Sequence, residues 1–192
     1  AEVVEIPGVG EGHRSTALAA LVELLPAASA GAISRGVYEE ILKLPGLSAA
    51  DALRARLNLA RSYRDAEDYA SARRQLAAIA ELPELSARER LDIYVELGHT
   101  SMEAKDFEGA RKEYARIVAA SDAPPAYRSH AQLRLAETYV RERNLTAAKA
   151  ELAKVETLVD VPAHHVWEAA ERSRELDRVQ AGLPPRDPAQ SR

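Results

Sequence analysis

The residues of this chain whose types and spacing come nearest to a reactive grouping are His164, His165 and Glu168, with His164 and Glu168 at i and i+4. On a helix that pair would share one face and could fill two positions around a divalent cation. A stable site needs a third protein ligand, and a Glu four residues after a His is equally an ordinary charge partner. No metal is expected there. The second grouping is Gly8-Val9-Gly10-Glu11-Gly12, lying between Val3-Val4-Glu5-Ile6 and Ser15 in the order strand, phosphate loop, helix. It lacks the G-x-G-x-x-G spacing, no Lys precedes Ser15, and Glu11 would set a carboxylate among phosphate oxygens. Residues 1–11 therefore read as an extended arm, its apolar stretch suited to a sheet edge or groove of another domain or subunit.

Nothing else in the chain carries a reaction. No serine stands in a nucleophile elbow, and paired carboxylates such as Glu39-Glu40 fall on solvent faces of helices, where no apolar pocket would raise a pKa. The chain has no cysteine, which removes disulfides, thiolate metal sites and cysteine nucleophiles and leaves the compartment open. No catalytic activity and no cofactor are expected. Lys and Arg number 26 against 30 Asp and Glu, a net charge of −4, so bulk electrostatics would not hold a nucleic acid. The basic residues alternate with acidic ones, as in Arg88-Glu89-Arg90 and Arg141-Glu142-Arg143, and lack the interleaved aromatics that base stacking needs. No run is long and charge-free enough to span a bilayer. Ala17 to Leu25, followed by Ala28-Ser29-Ala30, imitates a signal peptide, but Glu23 and Pro26 interrupt it. Met102 is the only methionine, so the chain reads as a processed product or a piece of something larger.

The elements that would position any site follow from a strict internal period. Asp68-Tyr69, Asp106-Phe107 and Asn144-Leu145 lie 38 residues apart, each followed three residues on by a helix-face alanine, Ala72, Ala110 and Ala148. Leu44-Pro45-x-Leu47-Ser48 recurs at the same interval as Leu82-Pro83-x-Leu85-Ser86, and Pro124 and Pro162 continue the ruler. A fixed period in this range marks a stacked array whose core is divided into nearest-neighbour layers. Within a unit, Leu53, Leu57, Ala60 and Tyr63 form one helical stripe, and Tyr69, Ala72, Leu76 and Ile79 a second after a polar corner at Glu67-Asp68. Each unit is therefore a helical hairpin. Ser48-x-x-Asp51 and Ser86-x-x-Glu89 have the capping-box form, and prolines mark the later boundaries. The expected repeats are 12–47, 48–85, 86–123 and 124–161, with a lone capping helix over 163–181 and a disordered proline-rich tail over 182–192. A single domain over 12–181 is expected.

These residues resemble tetratricopeptide repeats. The likeness rests on Leu59-Ala60-x-x-Tyr63 with Asp68-Tyr69-x-x-Ala72 and Leu76-x-x-Ile79; on Leu97-Gly98 with Phe107-x-x-Ala110, Tyr114 and Ile117; and on Leu135-Ala136-x-x-Tyr139 with Leu145-x-x-Ala148, Leu152 and Val155. In the first unit Tyr38 and Ile41 keep their places. Ala60, Gly98 and Ala136 are small where the first helix of a hairpin (helix A) meets the second (helix B), and Ala72, Ala110 and Ala148 are small in return. The resemblance implies an all-α solenoid, a right-handed superhelix of about four helix-turn-helix repeats plus a C-terminal capping helix.

The resemblance also implies a site. Helix A lines the inside of such arrays, which would project four columns inward: Arg54, Asp92 and His130; Leu57, Val95 and Leu133; Arg61, His99 and Glu137; Asp65, Glu103 and Arg141. An aliphatic column flanked by mixed charge suits a peptide or helix with apolar anchors. The three aliphatic residues could equally pack against the neighbouring hairpin. The pattern lacks the Lys and Asn with which such repeats clamp a C-terminal carboxylate. The expected role is a non-catalytic protein-interaction module; the alternative is a spacer or docking domain serving other domains of the same polypeptide.

Overall fold

The computed structural model describes residues 31–43 and 47–183. The expected N-terminal arm, the first helix of the first repeat, the boundary at 44–46 and the tail from 184 lie outside the described residues. The rest is all-α, with eight helices and no strand among the described residues: α1 (Gly31–Ile41), α2 (Ala49–Asp65), α3 (Tyr69–Ala80), α4 (Ala87–Glu103), α5 (Phe107–Ala119), α6 (Pro125–Arg141), α7 (Leu145–Thr157) and α8 (Ala163–Gln180). Helices α2, α4, α6 and α8 begin 38 residues apart, and so do α3, α5 and α7. The chain divides into two compact units, one ending at Glu84 and one beginning at Leu85.

Each unit builds its core from the same positions. In the first, α1 packs on α2 and α2 on α3, with Tyr38 and Ile41 of α1 buried against Ala55 and Leu59 of α2. In the second, α4 through α8 pack consecutively. One layer gathers Leu91, Ala110, Tyr114, Ile117, Ala123 and Ala131, and the next gathers Leu133, Ala136, Ala148, Leu152, Val155, Ala169 and Leu176. The column Ile41, Ile79, Ile117, Val155 is at most 1% exposed throughout, so each B helix turns the same edge inward. Ala60, Gly98, Ala136, Ala72, Ala110 and Ala148 are all buried.

Local chemistry sets the helix ends. Ser86 carries a full capping box: its hydroxyl oxygen accepts from Glu89 N at 3.2 Å, and its own N donates to Glu89 Oε2 at 2.9 Å. The expected box at Ser48 is only half made, since Ser48 Oγ accepts from Asp51 N at 3.1 Å and donates to the Asp51 carboxylate at 2.6 Å. Aspartate is one methylene shorter than glutamate, and no return bond to Ser48 N forms. The polar corner between A and B helices is tighter than its composition suggests. Glu67, Lys105 and Arg143 adopt left-handed φ angles of 58°, 59° and 60°. The next residue of each corner, Asp68, Asp106 or Asn144, donates its N–H back to Tyr63, Ser101 or Tyr139 at 2.9 Å and caps the following helix with its side chain.

A basic column joins successive hairpins within each unit. Arg35 of α1 donates to Ser62 O at 3.2 Å and lies 5.7 Å from the centre of the Tyr63 ring on α2. Arg111 of α5 repeats this against Tyr139 of α6 at 4.9 Å, with an ion pair to Glu142 at 2.6 Å. Lys149 of α7 pairs with Asp177 of α8. Guanidinium over an aromatic face combines charge, dispersion and burial of the arginine stem, which is why these seams keep their cations.

Candidate functional site

In the second unit α4 touches α6 and α6 touches α8, so the A-helix faces lie side by side. The neighbours across them are not the residues 38 apart. His99 of α4 meets His130 of α6, 31 positions on, with ring centroids 6.0 Å apart and planes at 80°. His130 meets His165 of α8 at 6.3 Å, and Tyr127 donates to the Asp92 carboxylate at 2.5 Å, both 35 positions apart. Adjacent A helices are thus offset by one to two turns relative to the repeat ruler, and the expected columns run diagonally.

Beside this histidine track lies a cavity of about 740 Å³. Helix α4 supplies His99, Met102 and Glu103, the corner supplies Lys105, α5 supplies Phe107 and Tyr114, and α6 supplies Arg134, Glu137 and Arg141. Four of the residues expected on the inner face, His99, Glu103, Glu137 and Arg141, therefore come together at one site. Of the others in this unit, Asp92 is exposed and bonded to Tyr127, and Val95 is half-buried against the Leu91 and Tyr114 layer. His130 is half-buried. Leu133 is only 2% exposed, packed with Leu152 and Ala169, so the aliphatic column is closed at its third position. In the first unit Arg54, Arg61 and Asp65 are exposed on α2 and Leu57 is half-buried.

The charges at the cavity are already arranged among themselves. Glu137 accepts from Arg134 Nη1 at 2.8 Å and Arg141 Nη2 at 3.3 Å. Burial alone would raise its pKa, but the two guanidinium groups hold it below the ordinary carboxylate range. Arg134 Nε also donates to His130 Nε2 at 3.3 Å, which places the His130 proton on Nδ1. Burial, then the Arg134 charge, lower the His130 pKa to about 4, so it is neutral at pH 7. Ser129 bonds back to Pro125 O at 2.9 Å and stands 2.7 Å from His165 Nδ1. His165 is likewise lowered by burial.

Tyr114 is the exceptional residue of the cavity wall. It is 0% exposed, its ring lies edge-on to His99 at 6.1 Å, and its hydroxyl is sealed from solvent without a hydrogen-bond partner. Burial pushes its pKa far above the usual phenol range, so the group stays a donor. The repeat pattern marks Tyr114 only as a B-helix position and does not mark Arg134. Arg134 stands four residues after His130 and three before Glu137, on the face already singled out, and that spacing was the available signal. Glu168 pairs with Arg172 at 2.7 Å, and among the described residues no three His, Asp or Glu side chains are grouped as metal ligands would be. No described helix is long and apolar enough to cross a membrane. The chain matches no protein-family model and no curated protein. Function must come from the site, because a helical array serves many roles.

Proposed function

We propose that the chain is a tetratricopeptide-like, non-catalytic interaction module that holds a peptide or helix of a protein partner on its A-helix face, with the cavity between α4, α5 and α6 as the anchor point. The observation that carries this reading is the sealed, unpartnered Tyr114 hydroxyl in the cavity wall. Leaving such a donor unmade costs about 1–3 kcal/mol, so a bound segment that parts the lining side chains and brings an acceptor oxygen to the hydroxyl gains what folding left unsatisfied. Met102 and Phe107 give an apolar side chain a place to rest, and the Arg134, Glu137 and Arg141 group offers both signs of charge at the rim.

A photo-crosslinking residue placed at Arg141, on the cavity rim, tests the reading against one placed at Lys112, exposed on α5 outside it. The expected result, in extract of the source cells, is a discrete protein adduct from position 141, absent from 112 and weakened when Tyr114→Phe is added. Identical adducts from both positions, or none from 141, would overturn it.

A further inference from the structure

We propose that α8 is a self-association surface, on which the same helix of a second copy of this chain packs antiparallel. The surface is separate from the cavity, and the inference does not rest on the peptide-binding reading. Helix α8 stands in the repeat where another A helix would begin, 38 residues after α6. Its inner side follows the pattern: Ala169 and Leu176, matching Ala131 and Thr138 of α6, are buried. The opposite side does not. In α6 the residues Ser129 and Ala136 are buried, whereas their counterparts in α8 are Trp167, 65% exposed, and Arg174, whose side chain is 59% exposed.

That side has the chemistry of a seam with its other half missing. Arg174 stands at the small-residue position that lets a B helix nest closely in the preceding hairpins, so another hairpin helix would not fit it. What a guanidinium takes is the face of a ring, and between helices of this chain it does so repeatedly: Arg35 over Tyr63, Arg111 over Tyr139 and Arg116 over Tyr94, at 5.7, 4.9 and 5.2 Å. Trp167 and Arg174 lie two helical turns apart on one face, with Ala170 between them. Two copies related by a dyad between positions 170 and 171 would run antiparallel. Each Trp167 then meets the other copy's Arg174, and the small Ala170 side chains let the helices approach. Glu171, bonded to Arg174 within each copy, keeps the guanidinium oriented and its charge offset. The pattern is self-complementary, as a two-fold interface must be.

The test is sedimentation velocity of the full chain from low micromolar to submillimolar concentration. The wild type should pass from monomer toward dimer, with a blue shift in the emission of Trp167, the only tryptophan. Trp167→Ala and Arg174→Ala should each remain monomeric at the highest concentration with unchanged helical circular dichroism. Mixing the two variants should restore part of the dimer, because a mixed pair recovers one of the two contacts while neither variant alone has any. A wild type monomeric at every concentration overturns the proposal, as does a dimer that both variants retain. Dimerisation that appears only after removal of residues 184–192 would assign the surface to that segment and overturn it too.

Discussion

The ring of Tyr114 occupies the space that a side chain on Gly98 would need: a Cβ at position 98 would fall 2.6 Å from Tyr114 Cζ. The two residues are a matched pair across the hairpin of α4 and α5. In the hairpin of α6 and α7 the same two positions hold Ala136 and Leu152, buried in one cluster. A larger B-helix residue is offset by a smaller A-helix residue, which keeps the total volume near that of a close-packed core.

Gly98→Ala should therefore lower stability by about 1–3 kcal/mol in urea denaturation, since the added methyl forces the packed Tyr114 ring out of its place. Tyr114→Leu alone should cost a similar amount by leaving a void. Combined, they reproduce the Ala136 and Leu152 arrangement, and the double variant should recover at least about 1 kcal/mol relative to the sum of the single changes. Strict additivity would mean the two side chains do not share this space.

The left-handed corners supply a second prediction. Lys105 and Arg143 hold φ near +60° without being glycine, whereas the corner after α8 uses Gly182 at φ 69°. Lys105→Gly and Arg143→Gly should each raise the unfolding free energy by about 0.5–1 kcal/mol, because removing Cβ relieves the clash with the backbone carbonyl. The same substitution at Lys112, inside α5, should lower it by about 1 kcal/mol. Thermal melts of the three variants would separate a conformational effect from loss of a charge.

How far the fold was legible follows from what a period can encode. The interval of 38 located α2, α4, α6 and α8 within a residue of their starts, because helix initiation depends on Ser48, Ser86, Pro124 and Pro162, each present locally. The corner residues Glu67, Lys105 and Arg143 carry no glycine signal, and their left-handed backbone is imposed by the helices on either side. The site was half legible. His99, Glu103, Glu137 and Arg141 were placed on one face and line one cavity, but which of them meet depends on the stagger between neighbouring A helices, and stagger leaves no mark within one repeat. Leu133, expected either on the inner face or packed against the neighbouring hairpin, is buried because α7 and α8 both close over it.

His130 sets an acid limit on the second unit. Its folded pKa, about 4, lies below the ordinary value of 6.5, so the neutral form is the one the fold accommodates. Above pH 6.5 both folded and unfolded states are neutral and stability is unaffected. As pH falls from 6.5 toward 4 the unfolded chain takes up a proton that the folded one refuses, and stability is lost. Partial solvent exposure reduces the effect, leaving about 1–2 kcal/mol across that window. Arg134, His99, His165 and Arg172 all oppose protonation, so His130→Asn should flatten the dependence measured by urea titration at each pH. An unchanged slope would place the acid sensitivity on other groups.

Tyr114→Phe separates the packing role of this residue from its proposed binding role. Folding leaves the Tyr114 hydroxyl buried without a partner, so deleting that one oxygen should leave stability unchanged or raise it by up to about 1 kcal/mol. The ring, and with it the contact to Gly98, stays in place. If an acceptor oxygen of a bound segment completes the hydroxyl, the variant should nevertheless hold the partner identified by crosslinking about 5–30-fold more weakly, the equivalent of one buried hydrogen bond of about 1–2 kcal/mol in titration calorimetry. A variant that is both less stable and equally tight would show that the hydroxyl serves the fold, through a water or a neighbouring charge, and that the bound segment anchors elsewhere on the A-helix face.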